Sequence, residues 1–528
     1  MSRFFDSLAV VVLFAVFLAL PFTQAFPRSD GKSDPIESRS SPKAVLDYGT
    51  FVGGYNATYD ISYFKSIPFA APPVGELRYR APQPPLRYKD DFDATVTKDF
   101  CVQRTVNGSE DCLYLEIYGR PFVKGAKKPV VVWLYGGGYI QGGGSISWPP
   151  FVFPTLNVSS ENDFIVVLPN YRVNSFGFLA GDLVKEDPTT DLNVGLLDQR
   201  AALQWVQKYI HIFGGDSSKV TLWGQSAGAG SVLFQTIAKS PQSLFRSAVA
   251  SSPFVQKQYH YNAPQIEQVL TTFLNYTNCS AVRSQAIGCL RKAPLQTLRD
   301  ASLAVDTIHG ETLSHAWTPV IDDELITERF SVATAAKRIN NKYALMVYNT
   351  HEGENFVPSA VGNWDEWMKE YLPGFSDSQF KELEKLYPDE EGASLRAASI
   401  YRDSVLACPA LWAASAARKG WLVEFGVGTA KHASDTQFWN TIQPAQQQYP
   451  HIYQAYAGGY ASFAQTADPN RNSLTRVVYP EVGTEKLFLL GDGSRAVANP
   501  STPIGTGSFE ELKEKCDFWR TNGASVPL

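Results

Sequence analysis

Lys219-Val220-Thr221-Leu222-Trp223-Gly224-Gln225-Ser226-Ala227-Gly228-Ala229 is the stretch on which the fold is read. Lys219–Trp223 reads as a short strand, and the small residues after Ser226 open a helix. Between them lies G-x-S-x-G. A serine between strand and helix stands on a strained turn, and glycines two residues before and after keep that turn free of side-chain clashes. The turn lifts the hydroxyl above a sheet and aims the next amide, that of Ala227, toward the same space. Alone the motif is weak. Three small residues over five positions recur by chance, and a tight packing turn accounts for them equally well.

A second motif separates the two readings. Trp133-Leu134-Tyr135-Gly136-Gly137-Gly138-Tyr139 follows an apolar strand at Pro129–Tyr135. Consecutive glycines expose backbone N–H groups, and the amides of Gly137, Gly138 and Ala227 are together a candidate oxyanion hole. Acyl transfer passes through a tetrahedral intermediate with a full negative oxygen, and each prealigned amide stabilises it by about 3 kcal/mol. A phosphate cradle does not fit, because no G-x-G-x-x-G opens a helix and no Lys-Ser/Thr follows.

Outward from these motifs, apolar runs recur at Leu113–Tyr118, Phe164–Leu168, Ser247–Ser251, Tyr343–Tyr348, Trp421–Phe425 and Leu487–Leu490. Strands without polar alternation are buried on both faces. Helical spacing lies between them, as at Leu196–Tyr209. The expected class is α/β, a mostly parallel central sheet with helices on both faces and large insertions. The 528 residues carry a formal charge of −5, with 44% hydrophobic and 19% charged residues. This composition describes a globular chain with a large core. It offers no basic face for nucleic acid and no polybasic attachment to lipid.

The N-terminus reads as a targeting segment. Arg3 flanks an apolar run, Leu8–Leu20, that ends at Thr23-Gln24-Ala25. The expected organisation is a signal peptide at 1–25, a mobile leader at 26–42 and a single catalytic domain at 43–528. The last residues, Ala524-Ser525-Val526-Pro527-Leu528, match neither a retention address nor a lipid-anchor tail, so a secreted, extracellular protein without a stable membrane anchor is expected. Six cysteines in such a chain favour disulfides. Proximity pairs Cys101 with Cys112 and Cys279 with Cys289, which leaves Cys408 with Cys516, one of fifteen possible pairings. No cysteine or histidine cluster suggests a metal. Glycosylation sequons stand at Asn56, Asn107, Asn157, Asn275 and Asn278.

These motifs, with others in the same order, resemble the type-B carboxylesterase and lipase family of the α/β-hydrolase fold. The shared segments include Ile67–Gly75, Ser109–Leu115, Asn170–Val173, Asn193–Arg200 and Phe213–Asp216, and the likeness runs from about Val45 to about Trp519. It implies a serine, acid, histidine order along the chain. Ser226 is the implied nucleophile. Glu352, in Asn349-Thr350-His351-Glu352-Gly353 after a strand, is the implied acid, with Glu354 as runner-up and otherwise a solvated loop charge. His432, in Gly428–Asp435, is the implied base, and His451 reads as a surface histidine. No metal or organic cofactor is implied. The partner is a small-molecule ester, cleaved through an acyl-enzyme.

Gln225 stands where cholinesterases carry Glu, which argues against cationic choline esters. The segment Cys101–Cys112 holds only ten residues between its cysteines, where family lipases carry a longer lid. Uncharged short-to-medium acyl esters are therefore expected. An acylglycerol or sterol-ester lipase is the alternative, and a catalytically inactive adhesion homologue a third reading. Tyr139, Trp148, Phe254, Trp317, Phe438 and Trp439 are aromatics that could line a pocket or belong to the core. Oligomeric state is not legible.

Overall fold

The computed structural model describes residues 41–144, 153–240, 242–313, 315–389, 392–440, 444–483, 487–491 and 501–527, all within one unit of the chain, Arg39–Leu528. The signal peptide expected at 1–25 and the leader up to residue 40 lie outside these residues.

The strands in chain order are β1 (Lys43–Leu46), β2 (Gly49–Val52), β3 (Gly54–Asn56), β4 (Ile61–Pro68), β5 (Phe92–Asp93), β6 (Tyr114–Gly119) and β7 (Lys128–Leu134). They continue as β8 (Ile165–Pro169), β9 (Gly215–Gln225), β10 (Ser247–Ser251), β11 (Tyr343–Asn349), β12 (Lys419–Phe425), β13 (Leu487–Leu490) and β14 (Ile504–Gly507). The main sheet has eleven strands in the order β14-β13-β12-β11-β10-β9-β7-β8-β6-β4-β3, and β1, β2 and β5 form a second sheet. From β8 to β13 neighbours run parallel, while β6, β4 and β3 on one side and β14 on the other are antiparallel. This is the α/β-hydrolase architecture, with a mixed sheet whose middle is parallel.

Alternate residues of the same strands enter two different cores. Val130, Val132, Leu134, Leu222, Ala248 and Met346 pack with Leu203 and Val206 of α1 (Val194–Tyr209) and with Val232 and Leu233 of α2 (Ala227–Ile237). Four further helices matter below, α3 (Leu295–Leu313), α4 (Cys408–Ala416), α5 (Pro450–Thr466) and α6 (Glu510–Thr521). Val131, Trp133, Trp223, Val249, Val347 and Phe425 face the other way, onto Ile452, Tyr456, Tyr460 and Phe463 of α5. Each Val, Leu, Met or Phe among them contributes about 1.5–3 kcal/mol by burial. This two-sided cover is why the central strands carry no polar alternation.

The structure departs from the sequence reading at polar or peripheral segments. β9 begins at Gly215 rather than near Lys219, because Asp216-Ser217-Ser218 forms an irregular start. Asp216 Oδ1 accepts from the Ser218 amide at 2.9 Å, and the register shifts between Lys128 and Val130 of β7. β3, β4 and β14, which periodicity did not reveal, are the antiparallel flanks. Disulfides join Cys101 to Cys112, Cys279 to Cys289, and Cys408 at the start of α4 to Cys516 in α6. Asn107, Asn157, Asn275 and Asn278 are exposed, and Asn56 is half-buried in a turn, its Oδ1 accepting from the Thr58 amide at 3.0 Å.

Candidate active site

Four strand ends supply the site. β7 runs into Gly136–Gly138, β9 into Ser226, β11 into Glu352 and β12 into His432, all at the carboxyl edge of the parallel sheet, where such sheets offer a crevice. The register aligns these ends. Leu134 pairs with Gly224, Gly224 with Ala250, and Asn349 with Phe425.

Ser226 has φ 57° and ψ −127°, a backbone that only a rigid surrounding holds for a residue with a side chain. The Ser226 amide donates to Ser251 O at 3.0 Å, and Ser226 O accepts from the Phe254 amide at 3.1 Å. The flanking glycines are dictated by space. A Cβ on Gly228 would lie 2.1 Å from Leu134 O, and one on Gly224 would lie 2.4 Å from the Gly228 carbonyl.

Ser226 Oγ lies 2.8 Å from His432 Nε2, and His432 Nδ1 lies 2.9 Å from Glu352 Oε2. Glu352 is fully buried and Ser226 is 9% exposed. The Asn349 amide donates to the other carboxylate oxygen, Glu352 Oε1, at 3.0 Å, which fixes the acid's orientation. With Nδ1–H given to the carboxylate, Nε2 is left as the acceptor for the serine hydroxyl. The carboxylate on His432 Nδ1 is that of Glu352, and Glu354 is held elsewhere. It lies 3.4 Å from Lys431 Nζ and 3.8 Å from His351 Nδ1 with its side chain 15% exposed, so it is a half-buried ion-pair member and not a solvated loop charge. His451 is also not a surface residue. It is half-buried, and its Nε2 is sealed from solvent with no partner among the described residues.

The glycine loop lies against the serine turn. A Cβ on Gly136 would come within 2.6 Å of Gln225 O and 2.9 Å of Ser226 Cβ. Gly137 and Gly138 hold φ of 116° and 64°, and the Ile140 amide donates to Gly137 O at 3.1 Å to close the turn. Among the described residues no backbone carbonyl accepts from the Gly137, Gly138 or Ala227 amides. These three donors are therefore available beside the serine hydroxyl.

Two groups escaped sequence reasoning. Asp435 is fully buried, and its Oδ2 accepts from Ser251 Oγ, from Trp439 Nε1 at 3.0 Å and from Tyr456 OH at 3.0 Å. It thereby ties the histidine loop to β10, whose Ser251 O holds the Ser226 amide. Its signal was an acid three residues after His432. The second is an aromatic wall. Phe254 stacks on Phe356 at 5.5 Å between centroids, and Phe356 meets the His432 ring edge-on at 4.9 Å. Phe356 carried no local signal. Of the aromatics named from the sequence, Phe254 belongs to this wall, and Tyr139, Trp317, Phe438 and Trp439 are core. Trp148 lies outside the described residues.

The Cys101–Cys112 segment is pinned beside the site. Gln103 exchanges hydrogen bonds with Gly142, donating from Nε2 at 2.7 Å and accepting at Oε1 from the amide at 2.9 Å. Arg299 of α3 donates to Gln103 O at 2.8 Å and to Arg104 O at 3.0 Å.

The sequence profile of the carboxylesterase family matches residues 40–499. Secreted lipase 1 of Botryotinia fuckeliana is 33% identical over 331 residues, 56% of each chain. Cholinesterase of Mus musculus is 30% identical over 391 residues, and the match spans 63% of that protein. The chain thus spans less than two thirds of either. Lipase 1 of Geotrichum candidum is 28% identical across 89% of this chain and 95% of its own. Among solved structures, EstA of Aspergillus niger superposes with a TM-score of 0.80 at 26% identity, covering 93% of this chain and 100% of its own.

Proposed function

The chain belongs to the carboxylesterase family, and from that premise we propose that it is a secreted serine ester hydrolase acting on uncharged short-to-medium acyl esters. The observation that carries this reading is the unbroken contact from Glu352 through His432 to Ser226, at 2.9 and 2.8 Å. His432 takes the serine proton as Ser226 Oγ bonds to the ester carbonyl carbon. The amides of Gly137, Gly138 and Ala227 hold the oxygen that becomes negative. The carbon–oxygen bond to the alcohol then breaks, and His432 returns its proton to the leaving alkoxide. Water attacks the acyl-enzyme by the same route, releasing the acid and freeing Ser226. Glu352 keeps the imidazole oriented and stabilises its cationic form.

Esterase rather than lidded lipase is favoured by the Cys101–Cys112 segment. Its hydrogen bonds to Gly142 and Arg299 tie it on two sides, and residues 104–107 are exposed. A short segment held this way has little apolar surface to bury against lipid, at roughly 25 cal/mol per Å². The alternative flap named from the sequence, around Ser145–Pro150, lies outside the described residues. The near full-length match to Lipase 1 keeps the lipase reading as the second one. Secretion is supported by the three disulfides, the five sequons and the likeness to a secreted lipase. Residues 43–528 would be one catalytic domain behind the cleaved segment 1–25.

The test is a chain-length profile on nitrophenyl esters from acetate to palmitate, with tributyrin taken through its solubility limit. Short-to-medium preference with ordinary saturation is expected. An abrupt rise at the solubility limit, with monomeric substrate barely turned over, would favour the lipase. Ser226→Ala should abolish turnover and organophosphonate labelling in a folded protein, and surviving labelling would mean another nucleophile.

A further inference from the structure

A second histidine–carboxylate pair stands near the reacting centre, joined to His432 through Phe254 and Phe356. His315 follows α3, and its Nδ1 lies 3.3 Å from Asp306 Oδ2. Asp306 is held in turn, its Oδ1 accepting from the Ala316 amide at 2.9 Å, and the His315 amide donates to Gln256 Oε1 at 3.2 Å. The imidazole lies on the glycine loop. A Cβ on Gly138 would be 2.4 Å from His315 Nε2, so the ring occupies the space that a side chain there would fill. The ring edge also meets Phe254, at 5.9 Å between centroids, and Phe254 leads through Phe356 to His432. The two imidazoles thus end one aromatic wall, one beside the serine hydroxyl and one beside an oxyanion-hole donor. Among the described residues His315 Nε2 has no hydrogen-bond partner, and its side chain is 21% exposed.

From this placement we infer that His315, positioned by Asp306, is a specificity-determining residue that hydrogen-bonds a hydroxyl carried by the substrate close to its ester group. This rests on the reading of Ser226 and the glycine loop as the reacting centre. The Gly138 amide holds the carbonyl oxygen, so a substrate group that reaches Nε2 belongs to the first few atoms beside that carbonyl. Asp306 accepts a hydrogen bond from Nδ1–H, which leaves Nε2 an acceptor in the neutral ring and a donor in the charged one. A hydroxyl both donates and accepts, so it matches either state. A substrate carboxylate would approach Asp306 as well and meet like charge. A plain alkyl group would leave Nε2 unpaired in a site closed by the substrate, and pockets built to bond a hydroxyl discriminate against analogues lacking it.

The experiment compares kcat/KM for ethyl butyrate, ethyl 3-hydroxybutyrate and 2-hydroxyethyl butyrate by pH-stat, in the mature enzyme and its variants. The native enzyme should prefer one hydroxylated ester over ethyl butyrate by about 10-fold or more. The first hydroxylated ester places the group on the acyl side and the second on the alcohol side. His315→Phe should collapse that ratio to near one, His315→Gln should restore part of it, and Asp306→Asn should lower it without removing it. The ratio is the readout, and a purely structural role for His315 would change all three esters together. No preference in the native enzyme, or a ratio unchanged in His315→Phe, overturns the inference. If His315→Phe does not fold, the His315→Gln and Asp306→Asn ratios decide, and both at the native value overturn it. Failure of the native enzyme to hydrolyse ethyl butyrate or to be labelled at Ser226 would instead overturn the reading of the reacting centre.

Discussion

Asp435→Asn should damage both stability and turnover, although Asp435 touches no substrate. Three donors converge on Asp435 Oδ2, and one of them, Trp439 Nε1, can only donate. An amide oxygen can replace Oδ2 only if its NH2 occupies the Oδ1 position, where the Asn349 Nδ2 donor lies 3.4 Å away. Donor then faces donor. Hydrogen bonds to a carboxylate are worth about 1.5–3 kcal/mol each and roughly half that to a neutral acceptor. Three bonds weakened by about 0.75–1.5 kcal/mol each and one reversed contact give a loss of about 3–5 kcal/mol. Turnover falls because the same carboxylate connects both halves of the reacting pair. Ser251 bonds Asp435 through its hydroxyl and the Ser226 amide through its carbonyl, and Asp435 follows His432 by three residues. A shift of about 1 Å between reacting groups costs on the order of 100-fold in rate. Urea unfolding and kcat on a soluble ester measure the two effects, with Asp90→Asn, an exposed acid, as the control. A stability change under about 0.5 kcal/mol with kcat within two-fold would refute the argument.

Glu352→Gln should lower kcat by about 10⁴-fold, as loss of the correct imidazole orientation does in such triads, while Glu354→Gln stays within a few-fold. The reverse pattern would exchange their roles. Gly228→Ala drives a Cβ to 2.1 Å from a backbone carbonyl, so turnover should drop by about 100-fold with a lowered Tm; a fully active variant would show that the turn has room. At alkaline pH, burial holds the Tyr135, Tyr171, Tyr456 and Tyr460 hydroxyls well above their ordinary range. The unfolded chain releases these protons near pH 10 and the folded one keeps them. Stability should therefore be full below pH 10 and fall above it, by up to about 1.4 kcal/mol per tyrosine per pH unit. Thermal melts across that range check this, and an ultraviolet titration finding all four ionised near pH 10 in the folded protein would contradict it.

The parts legible in the sequence are those whose cause is local. Val130 to Leu134 read as a buried strand because alternate residues feed two cores, so no position needs to be polar. Gly224 and Gly228 could be read because the clash they avoid lies within one turn and its neighbour strand. Glu352 and His432 were reachable only through the resemblance, since nothing in their own loops separates them from Glu354 or His451. Asp435 finds its Ser251 partner 184 residues away, and His315 meets Gly138 from a different element, so no periodicity carries either. β3, β4 and β14 were missed because strands at the antiparallel flanks lack the continuous apolar run of the middle.

The Cys408–Cys516 bridge closes a loop spanning 108 residues. His432 and Asp435 lie inside that loop, while Ser226 and Glu352 lie outside it. A protease cut between Pro409 and Lys431 would therefore yield two polypeptides that remain one covalent molecule, with His432 on the piece that lacks Ser226. The bridge and the packing of α4 against α6 would keep the base-bearing piece within reach of the serine-bearing one. Closing a loop of about this length restricts the unfolded chain by an amount worth nearly 5 kcal/mol in the entropy account. A nicked enzyme of this kind would run as a single band without reductant and as two with it. Its activity would outlast the cut and disappear with the disulfide.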